Sequence, residues 1–521
     1  MLNGVHEVAE FVLTAADDPR AQDLQLPEVS GSRFTVAPAG QSRTVRRTWL
    51  DTFDWRLFRA GLTLEYTTGR GGSGLALTAR DGDLVASQDI AGGGLRWPAR
   101  IEQLPLGPLR EHLARVVGVR ALLPVVRATS VQSRHRALNG DAKTIAIVTT
   151  ERLTLTQPAR ARAEARVTIS PLRGYVAQAT RLADEMARAP GVDTADQSAF
   201  ESALRAAGRK PVDYTSKIDV RLSADMPAAL AVCTVLTRLF MTAQANISGT
   251  IRDVDTEFLH DLRISVRRTR SVLKLAGSVL PAGLADRYRP EFKWLGDLTT
   301  PTRDLDVYLL GYPAMAGKLV GGGEPELHPF HDYLARQRAA AQRQLARGLR
   351  SARYTRLAMT WQQDLKQVAA APGRRPATGR FAAGRITRAH QRVLRAGGAI
   401  DAASPPQALH DLRKLCKELR YLLEVFASLH DPADQWRAVN ELKALQDCLG
   451  EFQDTEVQRA FAAKMMAEAS APAETLLAMG EIAAGLAVRQ RAARGEFAGL
   501  FSGFASARSR ARIEALTRAA S

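Results

Sequence analysis

The hydrophobic pattern changes period partway along the chain. Up to about residue 175, apolar and polar residues alternate, as in "LTLEYTT" (62–68) and "RVTISPL" (166–172), or cluster in β-branched runs such as "TIAIV" (144–148) and "RLTLTQ" (152–157). A period of two predicts strands with one buried face. Glycine-rich punctuation at "TTGRGGSG" and "AGGGLRWP" separates them. Two stretches, 105–118 and 175–189, carry helical spacing instead, so this half reads as an α+β domain built on a sheet. Between 209 and 225 the alternation ends, and the remainder is Ala-, Leu- and Arg-rich with helical period, broken at 280–284, 318–329, 370–379, 396–406 and 429–435.

The helical half repeats itself at a constant offset of 150. "LTR" (236–238) returns as "ITR" (386–388), and "LHDLR" (259–263) returns unchanged at 409–413. "FKWLGDLTTPTRDLDV" (292–307) returns as "LKALQDCLGEFQDTEV" (442–457), with Lys293, Asp297 and Asp304 matching Lys443, Asp447 and Asp454. One offset across three blocks predicts two tandem subdomains related by a pseudo-two-fold axis, whose seam is a natural place for a site.

Charge sharpens this picture. The 521 residues carry a formal net charge of +18 with a pI near 10.3, which points to a polyanionic partner. Residues 1–217 hold 29 basic and 23 acidic residues, and residues 218–521 hold 43 and 31, so most of the excess is helical. On a helical wheel His260, Arg263, Arg267, Arg270 and Lys274 fall within about 80° of one another, beside an apolar stripe of Leu259, Leu262, Val266 and Leu273. His410, Arg413, Lys417 and Arg420 repeat the column, flanked by Lys414, and Glu418 falls outside it. Like charges stacked along one helix face repel, so the unrelieved columns call for a ligand that neutralises them; a merely solvated basic face is the bland alternative. Asp255 or Thr256 is positioned to cap the first helix, and Ser404, with Pro405 and Gln407, resembles a capping box for the second.

The matched Arg238 and Arg388, with Lys293 and Lys443, extend the candidate surface. Arginine forks and lysine point charges suit phosphate oxygens. Aromatic residues are 6% of the chain, and no RNP-like or helix-turn-helix pattern occurs, so phosphate without bases fits better than nucleic acid. Neither histidine has a second His or Cys at metal-ligand spacing, and no cofactor motif is present. Three unpaired cysteines point to a reducing compartment. No signal peptide or uncharged apolar run of membrane-spanning length is evident.

These helical motifs resemble the CHAD family, the conserved-histidine α-helical domains, over about residues 218–510. The resemblance implies two pseudo-symmetric four-helix bundles that bind inorganic polyphosphate through a basic groove, without catalysis, on polyphosphate granules in the cytoplasm. His260, Arg263, Arg267, Arg270, Lys274, Lys293, His410, Arg413, Lys414, Lys417, Arg420 and Lys443 would contribute to it; Glu418 and Thr269 depart from the pattern. Residues 511–521 read as a loosely ordered basic tail. The first half, 1–210, is similar to the CYTH family, a triphosphate-tunnel β-barrel fold, through "WLDTFDWRLFRAGLTLEYTTG". Its active members use metal-binding glutamates and paired basic residues. Here Ala9, Phe11, Glu65, Thr67, Thr78 and Arg166 stand at such positions, with Glu164, Arg127 and Arg134 retained, which implies a degenerate domain without triphosphatase activity. An active triphosphatase and a nucleic-acid-binding protein are the competing readings. Nucleic acid would be a weaker partner than polyphosphate, no membrane partner is expected, and a homo-oligomer is compatible with the sequence.

Overall fold

The computed structural model describes residues 9–14, 32–91, 94–320, 323–371, 376–468 and 472–520. Glu7, parts of the glycine-rich breaks, and Ser521 lie outside them. The chain divides into two compact units, Met1–Thr215 and Ser216–Ser521.

The first unit is an antiparallel sheet with helices on both faces. Its strands are β1 (Ala9–Leu13), β2 (Thr35–Pro38), β3 (Arg43–Asp51), β4 (Leu62–Gly69), β5 (Gly72–Ala79), β6 (Leu84–Ile90), β7 (Leu123–Leu138), β8 (Thr144–Gln157), β9 (Ala161–Arg162), β10 (Ala165–Pro171) and β11 (Val192–Thr194). The order is β11-β1-β10-β8-β7-β3-β4-β5-β6, with β2 on β7 and β9 on β8. The two end strands do not pair with each other, so the sheet is open among the described residues.

Side chains alternate between faces. One face carries Leu64, Tyr66, Leu75 and Leu77 under α2 (Pro108–Val117), and Val167 and Ile169 near α3 (Val176–Met186). The other carries Trp49, Val126 and Leu153, closed by Phe200 of α4 (Ala199–Ala206). Ser198 and Glu201 form the capping box that starts α4. The short α1 (Arg56–Arg59) follows β3.

The second unit is all helical. Its helices are α5 (Ala228–Arg252), α6 (Thr256–Ala276), α7 (Leu284–Ala316), α8 (Glu324–Leu349), α9 (Ala352–Ala370), α10 (Thr378–Gly398), α11 (Pro406–Val425), α12 (Pro432–Glu468), α13 (Ala473–Phe504) and α14 (Ala507–Ala520). In each repeat four helices run in sequence, and a fifth, α9 or α14, returns to pack on the first. The two-fold relation is visible in backbone bonds: Ala228 N–H donates to Pro376 O (3.0 Å), while Thr378 N–H donates to Met226 O (2.9 Å), each pair being the other shifted by 150. One core crosses the repeats, joining Leu236, Leu262 and Leu273 to Ile386, Leu412 and Leu419. A second gathers Tyr312, Leu327, Phe330 and Leu334 with Met479.

Three expectations need correction. The stretch expected as a basic tail is the docked helix α14: Ile513 and Leu516 are 3% and 2% exposed, and Ser509 donates to Glu441 at 2.8 Å, beside the Arg512–Glu441 ion pair. Ser404 does not cap α11; its hydroxyl bonds Asp401 (2.9 Å), Gln407 bonds Asp411 (3.0 Å), and Pro405 is the N-cap. Finally, the β-barrel expected of the first half is an open sheet among the described residues, β11 and β6 standing at its two ends. Helix α5 is long and apolar enough to cross a membrane by length and composition, with 56% of that window buried, but Arg238 interrupts it and its uncharged runs stay short.

Asp255 does cap α6, accepting from Glu257 N–H (3.0 Å) and Phe258 N–H (3.2 Å). Asp255→Ala should therefore lower stability by about 1 kcal/mol, read by urea denaturation, since the freed N–H groups lose their acceptor.

Candidate phosphate-binding groove

The two basic columns lie on the second helix of each repeat, α6 and α11, held at register by their apolar stripes: Leu259, Leu262, Val266 and Leu273 are buried on α6, and Leu409, Leu412, Leu419 and Leu423 on α11. The repeat symmetry reaches the ion pairs. Arg263 pairs with Asp304 (4.0 Å) and Arg413 with Asp454 (3.1 Å), both residues of each pair being displaced by 150. Asp304 also senses the charge of Asp454, and Tyr308 senses both, so the two aspartates meet at the seam. Burial first, then Asp454, push the Asp304 carboxyl up.

The columns converge on each other. Arg267 of α6 stands 5.9 Å from the centroid of Tyr421, and Arg420 of α11 stands 5.8 Å from the same ring. Arg268 crosses to Glu424 (2.8 Å), which also pairs with Arg420 (3.4 Å) and so ties α6 to α11. Lys417 faces Arg267 across this junction. Burial, and then the charges of Arg413 and Arg267, lower its pKa to about 8. A lysine in that state is held against repulsion from both repeats, an arrangement that an anion would relieve.

The candidate residues sort by partner. Arg267 and Arg270 are exposed, Lys417 is half-buried, and Lys443 is exposed; none has a carboxylate at bonding distance among the described residues. Arg270 lies across α7 at Gly296, where a Cβ would come within 2.9 Å of its Nη1, so glycine makes room for that guanidinium. Other cations are already engaged: Lys293 with Asp297 (2.7 Å), Lys414 with Asp411 (3.0 Å), and Lys274 with Glu418. Glu418, outside its own column as the wheel predicts, is 9% exposed and also accepts from Arg392 (3.1 Å). Thr269 is buried at 2%. His410 is fixed by Gln453, Nδ1 to Oε1 at 2.6 Å, while His260 is half-buried at the matching place on α6. Arg238 is half-buried on α5; Arg388 is exposed on α10, where burial first, and then the charge of Arg388, lower the pKa of the neighbouring Arg385. Both therefore sit on the first helix of their repeat rather than in a column.

Sequence reasoning gave no role to Asp304, Asp454, Arg268 or Tyr421. The first two were legible as an offset-matched pair; the last two depend on which helix packs against which.

In the first unit, the sheet face bearing Glu65 and Thr67 is internally neutralised. Arg47 bonds Glu65 (2.6 Å) and Glu151 (2.7 Å), and Glu151 also accepts from Gln132 (2.9 Å) and Ser130. Arg166, 1% exposed, pairs with Glu10 (2.7 Å) and donates to Gln197 O. A divalent cation needs free carboxylate oxygens, and here those of Glu65, Glu151 and Glu10 already serve arginines. No group of three or more His, Cys, Asp or Glu capable of holding a metal occurs among the described residues.

Residues 234–463 match the family model of the CHAD domain. Among solved structures, the chain is similar to the CHAD domain from the plant Ricinus communis, with 26% identity and a TM-score of 0.48, covering 55% of this chain and 95% of that one. It is also similar to PptA from Streptomyces chartreusis, with 20% identity and a TM-score of 0.43, covering 53% and 100%. No curated protein matches the chain.

Proposed function

We propose that this chain, whose residues 234–463 form a CHAD domain, binds inorganic polyphosphate without catalysis, through the groove between α6 and α11, and that this binding carries it to polyphosphate granules in the cytoplasm. The observation that carries the reading is the convergence of two repeat-related columns on Tyr421, with no carboxylate at bonding distance from Arg267, Arg270 or Lys417 among the described residues. A polymer with a charge on every phosphate can bridge both columns at once, so each end of the groove raises the effective concentration of phosphate at the other.

Nucleic acid is the weaker fit. A base-stacking platform needs an open aromatic face, and Tyr421 is only 4% exposed with cations at its ring. Triphosphate hydrolysis is disfavoured by the Arg47–Glu65–Glu151 network, which occupies the groups such chemistry would use.

The deciding experiment is a calorimetric titration of the full-length protein with long-chain polyphosphate, repeated in excess single-stranded RNA. Binding should survive the competitor. The logarithm of affinity should fall against the logarithm of salt with a slope on the order of −3 to −5, if roughly five to seven phosphates are neutralised. Absence of binding, or displacement by equimolar RNA, would overturn the proposal, and phosphate release from tripolyphosphate with Mg²⁺ or Mn²⁺ would favour the enzyme reading.

A further inference from the structure

The sheet unit has a second cationic feature, on the face opposite the Arg47 network. In the β3–β7 ladder Thr48 pairs with Arg127 and Arg46 with Thr129, and in the β3–β4 ladder Thr48 pairs with Tyr66. These residues therefore share the face that also carries α2. Arg46, Arg96 and Arg127, with Tyr66 and Trp97, line a cavity of about 530 Å³, within the range that encloses one small molecule.

Three guanidinium groups around one cavity repel one another, and no carboxylate bonds any of them among the described residues. Two N–H groups there are buried without an acceptor among the described residues, Arg127 Nε and Trp97 Nε1. An unsatisfied buried donor costs about 1–3 kcal/mol, and both deficits would be met by one anion supplying oxygens. Trp97 packs edge-on against Tyr66, centroids 5.5 Å apart and planes at 69°, giving the cavity an aromatic wall that the helical groove lacks.

We infer that this cavity is a separate binding site for a small phosphorylated molecule carrying two or more negative charges, such as pyrophosphate or a nucleoside diphosphate. Its Arg forks match phosphate oxygens. Its volume of about 530 Å³ is the size that holds one small molecule. It is independent of the helical groove, so either site can fail without the other.

The test uses full-length protein labelled with 5-fluorotryptophan, which gives one ¹⁹F signal for each of the six tryptophans. Trp97→Phe identifies the Trp97 signal. Pyrophosphate and ADP are titrated separately, with citrate as a carboxylate of comparable charge. The Trp97 signal should move saturably with pyrophosphate, ADP or both; a tighter response to ADP would assign the aromatic wall to a base. Arg46→Ser/Arg127→Ser, with Arg46 exposed, should weaken the response at least tenfold while leaving polyphosphate affinity unchanged. No movement with either phosphate, an undiminished response in the double variant, or an equal response to citrate would overturn the assignment.

Discussion

Reversing three charges, Arg267→Glu, Arg270→Glu and Lys417→Glu, should reduce polyphosphate affinity by on the order of 10³-fold or more, because each site loses a charge-assisted contact of roughly 1.5–3 kcal/mol and gains a repulsive one. The three are chosen because no carboxylate bonds them among the described residues, so their removal leaves no buried acid stranded there. Arg263 and Arg413 would be poor choices: they neutralise Asp304 and Asp454 at the seam, and their loss would mix binding with folding. In the triple variant the like-charge repulsion around Lys417 is relieved, so its thermal midpoint should stay level or rise. A fully folded variant with wild-type affinity in a titration would remove the groove from the mechanism. Polyphosphate would then have to be sought on another basic face, such as Arg343, Arg347 and Arg350 at the end of α8.

The contrast between Arg263 and Arg267 also shows what local sequence can and cannot report. Both stand on the column that helical spacing defines. Only the 150-residue offset, which matches Asp304 to Asp454, hints that the first arginine of each column has a fixed acid partner. The same offset made the two-fold relation legible in the sequence, and the structure extends it to the reciprocal bonds at Ala228 and Thr378, which lie outside the matched blocks. Lys274 was not legible in this way. Its partner Glu418 is 144 residues distant, on a helix of the other repeat, and a wheel says nothing about which helix faces which. Residues 506–518 misled through composition: arginines at 508, 510, 512 and 518 suggest a solvated arm, while Ile513 and Leu516 are spaced to bury one face. Arg127, retained in the tunnel-family resemblance, pairs with Thr48 on the face opposite Arg47 and lines the cavity there; a motif match alone does not report which face of the sheet a residue takes.

Lys417→Met should move stability and binding in opposite directions. The folded lysine has a pKa near 8 against 10.5 for a free side chain. Between those values the unfolded chain holds more protons, so stability rises with pH across the window from about 8 to 10.5, and the destabilising effect of the charge is present in full below pH 8. Methionine removes that effect and keeps the aliphatic length. At pH 7 the variant should gain on the order of 1–2 kcal/mol, after discounting for solvent screening at this half-buried site, and the gain should vanish near pH 10.5. Polyphosphate affinity at pH 7 should fall by roughly tenfold to a hundredfold through loss of one charge-assisted contact. Bound phosphate favours the ammonium form, so binding by the wild type at pH 8 should take up about half a proton, measured by calorimetry in buffers of different ionisation enthalpy, and the variant should take up none at this site. A residue that weakens the fold and strengthens the complex is placed for the ligand. Loss of stability in Lys417→Met together with unchanged proton uptake would instead make this lysine a structural member of the helix interface.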